Sequence, residues 1–112
     1  MRIYIAHNYG RRRGASLEEL QRNVNNSIKL GLRLIEKGHN PFIPNLFHYV
    51  HLMANGSILE TKFFELVSEW VGFCDALLVG TPPMGKVSGV RDEIKIAQDK
   101  GLEIYYSIDD VP

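Results

Sequence analysis

The chain has one cysteine, Cys74, in 112 residues, which excludes an intrachain disulfide and any cysteine cluster of the kind that binds structural zinc. It also lacks an excess of either charge. Thirteen basic and thirteen acidic side chains give a formal net charge of zero, so the field that draws a protein onto a nucleic acid polymer is missing. Any contact with a polyanion must therefore be local. Uninterrupted apolar runs fall well short of the ~18 residues of a membrane span, and Met1 leads into a strand-like pattern instead of a signal sequence. These absences predict a reduced, cytoplasmic protein with no membrane partner. With 45% hydrophobic residues the chain can bury one core, so residues 1–112 are read as a single domain.

What is present is an alternation of strand and helix signals. Arg2-Ile3-Tyr4-Ile5-Ala6 is a β-branched and aromatic run of the kind found in a buried central strand, and it stops at the polar His7-Asn8-Tyr9-Gly10. Ser16 with Glu19 fits a capping box, after which Leu17, Leu20, Val24, Ile28, Leu32 and Ile35 recur at helical spacing up to Gly38. The two prolines of Asn40-Pro41-Phe42-Ile43-Pro44 suit a short edge strand. Asn45–Met53 shows no clear period and is read as a loop, with at most a helical turn, over the end of the sheet. Ser57 with Glu60 is a second capping-box pattern and predicts a helix ending about Gly72. Its apolar arc, with Phe63, Phe64, Trp70 and Phe73, is wide enough for core packing or for a subunit interface. Asp75–Gly80 reads as a strand buried on both faces. A last helix carries Val90, Ile94 and Ala97 and stops at Gly101; Glu103–Tyr106 is the final strand, and Asp109–Pro112 a short frayed end.

Strands alternating with helices, joined by right-handed crossovers, predict an α/β fold. The expected form is a Rossmann-like three-layer sandwich with a small parallel sheet of order 2-1-3-4 and helices on both faces. In that order the winding reverses between strands one and three, which is where a ligand crevice opens. Val87-Ser88-Gly89-Val90-Arg91-Asp92-Glu93 then lands beside Asn8, Tyr9, Gly10 and the run Arg11-Arg12-Arg13. A helix N-terminus in that place suits anions, and a Glu93 in the first turn would be kept ionised by the helix dipole. An ordinary capped helix start with a solvated acid has the same sequence pattern.

Four segments, taken in order and spacing, resemble a known superfamily: Met1–Ala6, Gly38–Pro44, Cys74–Val79, and Ser88-Gly89-Val90 followed by Glu93 and Ala97. They are similar to the nucleoside 2-deoxyribosyltransferase-like proteins, which include deoxynucleoside 5′-monophosphate N-hydrolases. The resemblance covers nearly the whole chain. It implies a small-molecule nucleoside or nucleotide substrate and gives Glu93 the part of nucleophile at C1′ of the deoxyribose, forming a glycosyl-enzyme as retaining glycosidases do. Ser88, Gly89 and the nearby amides would hold a 5′-phosphate or a sugar hydroxyl. Arg11 or Arg13 would grip the phosphate, a task that suits a guanidinium fork. Asn8 and Tyr9, with Gly10 in the same loop, are candidates for contacts to base or sugar.

The resemblance breaks at Val67, where related enzymes carry an aspartate. His48, from the segment over the crevice, is the candidate for protonating the leaving base, and His51 a lesser one. No third ligand accompanies the two histidines, so neither metal nor cofactor is expected. Similar proteins are dimers or higher oligomers that share residues between sites, and a homo-oligomer is expected here. The competing expectation is a non-catalytic module of the same fold that binds a nucleotide or nucleotide-sugar.

Overall fold

The structure, a computed structural model, describes residues 1–84 and 88–112. Val87, the first residue of the stretch singled out above, lies outside them, as do Gly85 and Lys86. Four parallel strands form one sheet: β1 (Arg2–Ala6), β2 (Asn40–Phe42), β3 (Ala76–Val79) and β4 (Glu103–Tyr105), in the order β2-β1-β3-β4. The helices are α1 (Leu17–Glu36), α2 (Phe47–Ala54), α3 (Glu60–Ser68) and α4 (Gly89–Asp99). This is the α/β sandwich that the alternation of strand and helix signals predicts.

Period-two alternation in the central strands divides the core into two layers. Ile3 and Ile5 of β1, with Ala76 and Leu78 of β3, face Leu34 of α1. Tyr4 and Ala6, with Leu77 and Val79, face Val90 and Ala97 of α4 and Val71 of the 3₁₀ turn Glu69–Phe73. Ile3 pairs with Ala76 and Ala6 with Val79, so both central strands end at the same edge of the sheet.

The start of α1 is the capped one that the sequence predicts: Ser16 Oγ accepts the Glu19 amide at 3.2 Å. Three other expectations are corrected. First, Phe47–Ala54 is a helix and not a loop. It lacks a strong apolar period because tertiary contacts hold it, His48 bonding to Gln21 of α1 and Phe47 packing edge-on to Phe63. Second, no capping box forms at Ser57 and Glu60. The N-cap of α3 is Leu59, with no side-chain cap, and Glu60 turns to Arg11 instead. The helical stretch also breaks into α3 and the 3₁₀ turn Glu69–Phe73.

Third, the C-terminus is docked instead of frayed. Ile108 and Val111 are buried in the α1 layer, Arg33 donates to Asp109 at 3.1 Å and Lys37 to the Val111 carbonyl at 2.9 Å. Deleting residues 108–112 is expected to destabilise the fold by roughly 3 kcal/mol or more, since each buried apolar side chain contributes about 1.5–3 kcal/mol. A urea unfolding curve with an unchanged midpoint would contradict this docking.

Candidate active site

The crevice lies where the strand order predicts it, over the carboxyl ends of β1 and β3. Its wall is built from the residues after β1, from α2 and α3, and from the start of α4. Asn8, Tyr9, Gly10, Arg11, Arg13, His48, Ser88, Gly89 and Glu93 all line it. The sequence therefore names side chains that the fold does bring together.

Glu93 is the buried carboxylate of this cleft, with 5% of its surface exposed. Ser88 is the N-cap of α4 and Gly89 its first residue, so the acid in the first turn is Asp92. Glu93 stands one residue further on, on the face turned to the sheet. This corrects the expectation of a first-turn carboxylate kept ionised by the dipole. Burial pushes Glu93 up to about 8, with Asp92 adding to the shift, while the Tyr4 hydrogen bond and the Arg12 charge pull the other way. Burial wins because a macrodipole contributes only about 1 kcal/mol and fades within a turn, whereas desolvation moves a carboxyl by several units of pH.

Tyr4 is the partner that sequence reasoning misses. Its hydroxyl donates to Glu93 Oε2 from the middle of β1, where the ring has no exposed surface. Burial and the adjacent carboxylate push its own ionisation well above the ordinary tyrosine value, so it remains a donor. A signal for it does exist: a phenol in an otherwise aliphatic central strand needs a buried acceptor.

Gly89 lies against the other oxygen. A Cβ built there would stand 3.9 Å from Glu93 Oε1 and 3.8 Å from the Phe64 ring. Both are ordinary contact distances, so the protein itself does not require glycine; its bareness keeps space open at Oε1. Gly89→Ala is expected to leave the melting temperature unchanged or slightly higher, alanine being the better helix former. A ligand that uses the space beside Oε1 should bind or react roughly tenfold to a hundredfold less well through misplacement. Unchanged turnover would show that nothing uses this space.

The loop after β1 is fixed by local bonds. The Asn8 amide donates to Thr81 Oγ1 and its side chain to the Pro82 carbonyl, both at 2.8 Å, clamping the two loops that flank the crevice. His7 Nδ1 and Asn45 Nδ2 both bond to the Asn8 carbonyl, at 2.8 and 3.2 Å. Burial lowers the His7 pKa, which keeps that ring neutral. Gly10 adopts φ 109°, and a Cβ there would lie 2.9 Å from Ala15 Cβ, so only glycine makes this turn.

The turn sets Arg11–Arg13 in a single 3₁₀ turn that reaches three helices. Arg11 pairs with Glu60 of α3 at 3.5 Å, Arg12 with Asp92 of α4 at 3.4 Å, and Arg13 with Glu19 of α1 at 3.0 Å. Arg11 also lies over the Phe63 ring and Arg12 over Phe64. All three arginines line the crevice, and Arg12, to which the sequence assigns no task, is the one whose charge acts on Glu93.

His48 is 3% exposed, and both ring nitrogens are engaged: Nδ1 with the Tyr9 hydroxyl at 2.5 Å and Nε2 with Gln21 Oε1 at 3.0 Å. Since Gln21 Oε1 can only accept, the bonding pattern puts the proton on Nε2 and makes Nδ1 the acceptor for Tyr9. Burial, aided by the neighbouring His51, lowers the His48 pKa, consistent with a neutral ring. In this geometry His48 holds Tyr9 in the crevice wall and commits its own proton to α1. Val67 is apolar and lines the crevice, while Glu65 and Glu69 are exposed, so no acid of residues 65–69 lines the crevice. Among the described residues no three metal-ligating side chains converge, and no helix is long and apolar enough to cross a membrane.

Fold and site together define a small α/β domain with a crevice at its topological switch point, floored by the buried carboxyl group of Glu93 and rimmed by arginines. No protein-family model and no curated protein matches the chain.

Proposed function

We propose that the chain cleaves the N-glycosidic bond of a deoxynucleoside or its 5′-monophosphate, with Glu93 as nucleophile. The observation that carries this reading is the placement of Glu93: buried, fixed at Oε2 by Tyr4, with Oε1 beside the unsubstituted Gly89. Oε1 attacks C1′ as the bond to the base nitrogen breaks, its electron pair leaving with the base, which takes up a proton. Water then adds at C1′, loses a proton, and releases Glu93 as the carboxylate. Hydrolysis is the default outcome, since no acceptor base is needed where water reaches the glycosyl-enzyme.

The arginine rim and the amides at the start of α4 support a phosphorylated substrate, because free helix amides and guanidinium groups both favour a phosphate. Deciding the matter requires incubation with a panel of deoxynucleosides and their monophosphates, scored by chromatography for free base. Release by the wild type but not by Glu93→Gln is the expected result; no release from any member sinks the reading.

A second reading, a non-catalytic nucleotide or nucleotide-sugar binding module, is favoured by one specific observation: the crevice has Val67 where a partner acid would sit. Tight binding without release would select it. We infer a homo-oligomer from the exposed Leu66, Trp70 and Phe73 on α3 and the turn after it; a light-scattering mass of one chain would remove that inference. The unpaired Cys74 fits a reducing, cytoplasmic setting.

A further inference from the structure

We propose that Glu60 selects the base, accepting N–H hydrogen bonds from an amino-bearing nucleobase and disfavouring the oxo analogue; this rests on the nucleotide reading of the crevice. Glu60 opens α3 and precedes Val67 by seven residues, two turns of helix, so both lie on the same face and both line the crevice. Phe63 and Phe64 come from that face as well, and Phe47 packs edge-on to Phe63. Arg11 covers one face of Phe63 and Arg12 one face of Phe64, so a heterocycle meets the apolar rims of these rings, and its polar edge is left to be met by a side chain.

Glu60 has the acceptor capacity to meet it. A carboxylate offers about four lone-pair sites. Among the described residues the one hydrogen bond to Glu60 is that from Arg11 Nη1 at 3.5 Å, while the closer bond of Arg11, 2.6 Å from Nη2, goes to the Ile58 carbonyl. Its side chain is 27% exposed, against 52% for Asp92 in the neighbouring arginine pair. Burial raises the Glu60 pKa and the two arginines pull it back. A half-desolvated, under-used acceptor facing a ligand crevice attracts an amino group and repels the lone pairs of a carbonyl oxygen at the same ring position.

The test is calorimetric binding of the monophosphates of deoxyadenosine against deoxyinosine and of deoxycytidine against deoxyuridine, each pair exchanging one amino group for an oxo group. The wild type is expected to bind the amino member of at least one pair roughly tenfold to a hundredfold more tightly. Glu60→Gln, whose amide both accepts and donates, is expected to bring that ratio near unity by weakening the amino member and tightening the oxo member. Equal affinities in both pairs, a preference that survives Glu60→Gln, or no binding of any of the four overturns the proposal. If Glu60→Gln binds nothing, Glu60→Asp decides: a preference of the same sign supports the assignment and its disappearance removes it. Base release is scored in the same samples. Selective binding without release rejects the glycosidic reading and leaves Glu60 its role; release without selectivity does the reverse.

Discussion

Replacing Glu93 by glutamine is expected to abolish base release and, at alkaline pH, to make the folded chain more stable. The loss of activity follows from removing the proposed nucleophile and should be about a thousandfold or more, as for other groups that act as a unit with their site. The gain in stability follows from linkage. The Glu93 carboxyl is raised from 4.5 to about 8 by burial, so the folded chain keeps a proton that the unfolded chain has released. The stability tied to that proton is fully present below about 4.5 and is lost as pH rises through about 8. Above that pH the wild type carries the cost of a buried charge, on the order of a few kcal/mol, which a glutamine avoids. The substituted side chain still offers Tyr4 an amide oxygen. Urea melts at pH 5.5 and pH 9 should therefore show the difference between variant and wild type growing in favour of the variant. A residue with a purely structural role would lose activity and stability together.

The rate of base release by the wild type should climb steeply with pH. In the proposed reaction the attacking group is the carboxylate, and with Glu93 near 8 only about one molecule in ten is ionised at pH 7 and one in a hundred at pH 6. At low substrate, kcat/KM is expected to rise by about a hundredfold from pH 6 to a plateau above pH 8, since that ratio reports groups of the free enzyme. The limb belongs to Glu93 if Tyr4→Phe moves it upward, because the Tyr4 hydrogen bond pulls the carboxyl down. A profile flat between pH 6 and 8 would mean that Glu93 does not act as an anion in the reaction.

Much of the architecture is legible in the sequence because its causes are local. The alternation in Ile3-Tyr4-Ile5-Ala6 and the cap at Ser16 each follow from side chains a few positions apart; the spacing from Leu17 to Ile35 gives α1 its extent, but Leu17, Leu32 and Ile35 are exposed and the buried face runs through Leu20, Val24 and Leu34. The site is legible at the level of position, since strand order alone brings Ser88, Gly89 and Glu93 opposite the loop after β1. What escapes is whatever depends on a distant partner. Ser57 and Glu60 have the spacing of a capping box, but Arg11, from another loop, takes the carboxylate. Phe47–Ala54 is helical through its contacts with α1 and α3. The protonation of Glu93 is the largest miss, because a helix position suggests a field whereas burial, which no local pattern reports, decides the charge.

The bonds that close the crevice join residues far apart along the chain: Asn8 to Thr81 across 73 positions, Arg12 to Asp92 across 80 and Tyr4 to Glu93 across 89. Each closes a long loop, whose entropy must be met before the contact returns anything. The crevice cannot exist until α4 has been synthesised and has docked. Until α4 docks, Arg12 lacks its partner Asp92, and a ligand that spans the crevice binds only once the fold is complete. A bound nucleotide, by holding both loops at once, would act on the rate of unfolding more than on the rate of folding.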